Sequence, residues 1–182
     1  MNTANEKIIE LSKTKVLLLI VGACAFVAIG LWMLQMDSAE IEAQRRFNNP
    51  LLVHGIGGLS IVFFGICGVF GVKKLFDRKP GLVLSSAGIF DNSSGVSAGL
   101  IPWSEITGFS VFEVQKQKML IVGVTNPEKY VEAGGSLKRA LNRANFKMCG
   151  SPIAITSNSL KIGFNELLDF CNQYLATYGK NA

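Results

Sequence analysis

Two long apolar runs constrain this chain more than anything else in it. Residues 16–36 contain no acidic or basic side chain, and residues 51–72 contain only His54. As a helix rising 1.5 Å per residue, the first run covers roughly 31 Å, close to the ~30 Å hydrocarbon thickness of a bilayer. A core helix of a soluble domain needs one apolar stripe, not an unbroken run of this length. Both runs are therefore expected to be membrane-spanning helices. The segment between them is short and polar, with Asp37, Glu40 and Glu42 set against Arg45 and Arg46. Pro50 suits the first position of a new helix, and Asn48 or Asn49 suits its cap. Residues 16–72 thus predict an antiparallel helical hairpin.

Basic residues set its orientation. Lys7, Lys13 and Lys15 precede the hairpin and Lys73, Lys74, Arg78 and Lys79 follow it, whereas the connecting loop holds only two arginines. Cytoplasmic flanks carry the excess of lysine and arginine, so both termini and everything after residue 72 are expected inside. Residues 1–15 read as a cytoplasmic tail and 73–80 as a linker. A cleaved leader is the competing reading: Ala23-Cys24-Ala25 resembles a small-residue cleavage site, and Val21-Gly22-Ala23-Cys24 loosely resembles a lipoprotein box. The run stays apolar through Phe26, Val27, Ile29, Leu31, Trp32 and Leu34, where a processed chain would turn polar. Even after cleavage, the second run would deliver the remaining domain to the cytoplasm.

Within the hairpin, His54 has two readings. Ionisable groups inside a membrane often mark pathways, but His54 lies near the start of its run, where a neutral imidazole can hydrogen-bond at headgroup level. The second run is rich in glycine, and Gly65, Gly68 and Gly71 are the candidates for close helix packing, against Gly22, Ala25, Ala28 and Gly30 of the first. The same small residues suit packing within the hairpin or a homo-oligomer.

Composition excludes several classes. Of the 182 residues, 49% are hydrophobic and 17% charged, against about a quarter charged in soluble domains. The net charge of +5 is +3 over residues 1–79 and +2 over residues 80–182, without the dense basic face of a nucleic-acid binder. The four cysteines form no C-x-x-C pair and there is one histidine, so no zinc site and no cofactor is expected.

Residues 81–182 change character, to short strands with turn residues between them. Strands are expected at 82–85, 89–92, 98–101, 108–115, 118–125, 153–156 and 161–163, with Gly88 at a tight turn and with Trp103 and Ile106 pointing inward. Asn126-Pro127-Glu128 is a helix start. After Gly134-Gly135 a basic helix over 137–145 carries Lys138, Arg139 and Arg143, with Lys147 at its exit. A final helix from about Asn165 places Phe164, Leu167, Leu168, Cys171, Tyr174, Leu175 and Tyr178 on one apolar face, fit to close a curled antiparallel sheet.

Gly81-Leu82-Val83-Leu84, Gly88-Ile89 and Gly99-Leu100-Ile101-Pro102-Trp103-Ser104-Glu105-Ile106 resemble the first half of bacterial pleckstrin-homology-like (PH-like) domains. Asn126-Pro127-Glu128-Lys129-Tyr130 followed by Gly150-Ser151-Pro152-Ile153 is similar to a family of small uncharacterised bacterial two-span membrane proteins with such a C-terminal domain. The resemblance implies an α+β chain in which a transmembrane hairpin precedes a PH-like antiparallel β-barrel or sheet closed by the C-terminal amphipathic helix, with a helical insertion. It also implies a multi-pass protein of the bacterial cytoplasmic (inner) membrane, and it carries no established activity.

No catalytic constellation is legible. The one histidine lies in an apolar run, leaving serine and cysteine without a base. Asp91, Glu105 and Glu113 are scattered acids, and no phosphate-cradling loop occurs. The chain is expected to be a non-enzymatic, membrane-anchored binding or scaffolding module. Lys138, Arg139, Arg143 and Lys147 are its candidate contacts to anionic lipid headgroups, each worth about 1 kcal/mol near an anionic leaflet, or to a protein partner. The alternatives are a protein-recruitment module without lipid binding, and a small oligomeric channel or transporter subunit.

Overall fold

The computed structural model describes residues 6–179. Residues 1–5 of the expected tail and 180–182 of the expected domain lie outside the described residues. The chain forms two compact units. One is residues 13–77, and the other joins residues 6–12 to residues 78–179.

The first unit is a helical hairpin. Helix α1 spans Lys13–Gln35, the short α2 Ser38–Glu42, and α3 Pro50–Phe76. Asp37 caps α2, its Oδ1 accepting from Ala39 N at 3.3 Å. Asn49 caps α3, accepting from Leu51 N at 3.0 Å and Leu52 N at 3.3 Å, with Pro50 at the first helical position where no N–H is missed. At 23 and 27 residues, α1 and α3 are long and apolar enough to cross a membrane. Only 17% and 6% of their most apolar windows are buried, so neither is the core helix of a globular unit. Helix α3 also takes up residues 73–76 of the expected linker. Nothing there breaks a helix, and Lys73 and Lys74 in the last turn complement its C-terminal dipole.

The second unit is a mixed α+β domain with two antiparallel sheets. Strands β1 (Lys7–Ile9), β2 (Leu82–Ser85), β3 (Gly88–Asp91) and β4 (Gly99–Pro102) form the first sheet in sequential order. Strands β5 (Ile106–Val114), β6 (Gln117–Val124) and β7 (Ala154–Ile155) form the second. Gln115 and Lys116, both at positive φ, make the two-residue turn between β5 and β6. Gly88 sits at φ +148°, where a β-carbon would lie 2.2 Å from the carbonyl oxygen of Ile101; only glycine fits. Between β6 and β7 come α4 (Pro127–Val131) and α5 (Ser136–Cys149), and α6 (Phe164–Tyr178) ends the unit.

One core joins these pieces. Leu82, Leu84, Ile89, Ile101, Ile106, Leu120, Val122 and Ile155 from the sheets, with Trp103 from the turn between β4 and β5, meet Leu167 and Cys171 of α6, and Phe164, Leu168, Tyr174, Leu175 and Tyr178 pack around them. Trp103 is buried and its Nε1 donates to Ser85 O at 2.8 Å, which satisfies the indole inside the apolar core.

Two expectations give way here. Residues 7–9, read as part of a tail, pair with β2 at Lys7↔Leu84, Ile8↔Val83 and Ile9↔Leu82, and Ile9 and Leu11 enter the core. Three residues are too few to display an alternating pattern, and their partner strand lies beyond the whole hairpin. Residues 161–163 form no strand. A 3-10 turn at Ser157–Ser159 and a single bridge from Leu160 to Leu11 precede them, and Gly163 already caps α6.

Candidate functional site

Three features singled out in the sequence can be located. His54 Nε2 lies 3.2 Å from Met36 O, just beyond the end of α1, so its ring serves the hairpin's closed end.

The glycine candidates divide. A β-carbon on Gly71 would lie 2.7 Å from Ile20 Cγ1 and one on Gly68 3.9 Å from Ala23 Cβ, whereas Gly65 faces open space. A backbone-to-backbone approach stands elsewhere, between Gly30 and Gly57. Around it, Phe26 and Phe64 stack at 4.2 Å and Ser60 Oγ donates to Phe26 O at 3.1 Å. The rotation of each helix decides which glycines face the partner helix.

The basic residues belong to α5. Gly135 precedes the helix, and Gly150, left-handed at φ +76°, ends it. Lys138 Nζ donates to Ser97 O at 2.6 Å. Arg139 lies 3.6 Å from Glu132, and Arg143 donates to the other oxygen of that carboxylate. These guanidiniums, Arg143 first through its hydrogen bond, hold the Glu132 carboxyl below its ordinary range. Lys147 makes no ion pair with a described residue. The structure therefore gathers Arg139 and Arg143 at one acid and ties Lys138 back to the β3–β4 loop.

The segment carrying α5 is pinned by residues the sequence reading did not single out for that role. Asn142, 3% exposed, donates Nδ2 to Tyr130 O at 2.8 Å. Tyr130 donates its hydroxyl to Glu105 Oε2 at 2.9 Å, and Lys129 Nζ donates to Glu105 Oε1 at 2.6 Å. The Lys129 and Tyr130 hydrogen bonds lower the Glu105 pKa, while burial and that carboxylate raise the pKa of Tyr130. Asp91 is equally structural: it accepts from Ser93 N at 2.9 Å, Ser93 Oγ at 2.6 Å and Ala98 N at 3.0 Å, and so orders the β3–β4 loop.

Burial pushes the Cys171 thiol up to about 12 and raises that of Cys149. Among the described residues, no three or more His, Cys, Asp or Glu gather in a metal-binding group. No family model, no curated protein and no solved structure matches the chain.

Proposed function

We propose that the chain is a non-enzymatic, membrane-anchored binding or scaffolding module that presents a PH-like domain at the inner leaflet of a bacterial cytoplasmic membrane. One observation carries the topology: β1 precedes α1, β2 follows α3, and the two pair in one sheet. Both ends of the hairpin therefore run into a single folded unit, which supports their leaving the membrane on the same side. The lysines and arginines flanking that unit's junctions favour the cytoplasmic side. Four-stranded and three-stranded antiparallel sheets around a C-terminal helix support the PH-like reading.

A second reading, recruitment of a protein partner, is favoured by the outer face of the first sheet. Ile8, Val83, Phe90 and Leu100 stand opposite one another across all four strands, and Ile8 and Leu100 are 57% and 53% exposed. A continuous apolar row of this kind is a surface that partners bind.

Single-cysteine labelling with a membrane-impermeant maleimide tests the topology. A cysteine at Gln44 labels in intact cells, and one at Gly95 labels only after lysis. The reverse pattern overturns inner-leaflet presentation, and release of the chain by alkaline carbonate overturns the anchor.

A further inference from the structure

Helix α5 carries an apolar face that its own domain does not cover. Asn142 is buried and Lys138, Asn145 and Cys149 are partly covered, which defines the inward side of the helix. On the outward side, Leu137, Ala140, Leu141, Ala144 and Met148 recur at the three-four spacing of one stripe. Leu137, Leu141 and Met148 are 51%, 44% and 56% exposed. Beside that stripe Arg139, Arg143 and Lys147 recur every fourth position, and no acid lies anywhere in Ser136–Cys149.

We infer that α5 is an interfacial helix: Leu137, Leu141 and Met148 insert among the upper acyl chains of an anionic leaflet, while Arg139, Arg143 and Lys147 meet its phosphates. The inference rests on the anchored reading above and adds the mode of contact. Apolar insertion beside a basic flank is the pattern of helices that lie in a membrane surface. Two further features favour a leaflet over a protein groove. The flank faces outward with three cations against the single carboxylate of Glu132, which matches a field of phosphates. The domain is also covalently joined to the hairpin twice, at Ser12–Lys13 and at Asp77–Arg78. On the proposed anchoring, both joints hold it at high effective concentration beside the bilayer. Lys138, tied inward to Ser97, then positions the helix and makes no lipid contact.

The test uses the full chain in vesicles of phosphatidylglycerol and phosphatidylethanolamine, with Cys24, Cys67 and Cys149 replaced by serine and the buried Cys171 kept. Spin labels are placed singly at Leu141, Met148, Leu18 and Gly95, and their accessibility to oxygen and to a water-soluble nickel chelate is measured by power saturation. Labels at Leu141 and Met148 are expected to show an oxygen-to-nickel ratio several-fold above that at Gly95. The ratio should fall when phosphatidylcholine replaces both lipids or when Arg139, Arg143 and Lys147 become glutamine. If Leu141 and Met148 read as water-exposed while Leu18 reads as hydrocarbon, the inference fails and the anchor stands. If Leu18 also reads as water-exposed, the anchored reading fails. Low accessibility to both reagents means a protein surface covers α5, a second copy included, and that overturns the inference too.

Discussion

Gly30 and Gly57 meet backbone to backbone across the hairpin: a β-carbon on Gly30 would lie 2.7 Å from the carbonyl oxygen of Gly57, and one on Gly57 2.9 Å from that of Gly30. Neither contact can relax through a flexible side chain, because the atom in the way is main chain in both directions. The closed geometry of α1 against α3 depends on this crossing.

Substituting either glycine should therefore push the helices apart. Gly30→Ala or Gly57→Ala is expected to destabilise the hairpin by about 1–3 kcal/mol, the usual cost of overpacking. Gly65→Ala, which faces open space, is the control and should be neutral or slightly stabilising. Unfolding of the detergent-solubilised chain, followed by circular dichroism, reads the difference.

Strand β1 makes a second expectation. Ile9 is 3% exposed in the domain core while its neighbour Ile8 is 57% exposed. Ile9→Ala should cost about 2–5 kcal/mol, and Ile8→Ala should be nearly neutral. A fragment beginning at residue 78 lacks Ile9 and Leu11 and leaves β2 an open edge; it should be protease-sensitive and should gain protection from an added peptide of residues 6–12.

The Glu105–Tyr130 pair gives a pH dependence at both ends. Glu105 has a lowered pKa, so its stabilising contribution is complete above the ordinary value of 4.5 and is lost as pH falls through its folded value. Tyr130 has a raised pKa, so its contribution is complete below the ordinary value of 10.0 and is lost as pH rises above it. The stability advantage of wild type over Glu105→Gln should shrink on the acid side, as Glu105 is protonated. The advantage over Tyr130→Phe should shrink on the alkaline side, as Tyr130 ionises. Melting curves of the three proteins across pH check both signs.

Cysteine reactivity provides a fourth. Cys171 is fully buried against the sheets with its thiol pushed up to about 12, so it should resist thiol reagents in the native chain and react once denaturant is added. Prompt labelling without denaturant would place α6 off the core.

The features legible in sequence are those written into local pattern. The uncharged runs marked α1 and α3, Pro50 with an asparagine before it marked the start of α3, and the spacing from Phe164 to Tyr178 marked the apolar face of α6. Trp103 and Ile106 were expected inside, and both are buried. What escaped depends on partners distant along the chain. Strand β1 is three residues long and acquires meaning only from β2. Gly30 and Gly57 stand out only when the rotation of each helix is known. The basic residues of α5 were visible, but Glu132, which gathers Arg139 and Arg143, and Ser97, which holds Lys138, were not, since neither position carries a local signal.

The pairing of β1 with β2 also orders events during synthesis. β1 leaves the ribosome before either long helix exists, and it waits unpaired until the residues after α3 emerge. On the proposed anchoring, the sheet can close only when both helices have crossed and both junctions have returned to one side. A chain that inserts a single helix strands Ile9 and Leu11 across the bilayer from the rest of their core. The domain then stays unfolded and open to quality-control proteases. On that anchoring, folding of the domain would serve as the molecule's own proofreading of its insertion.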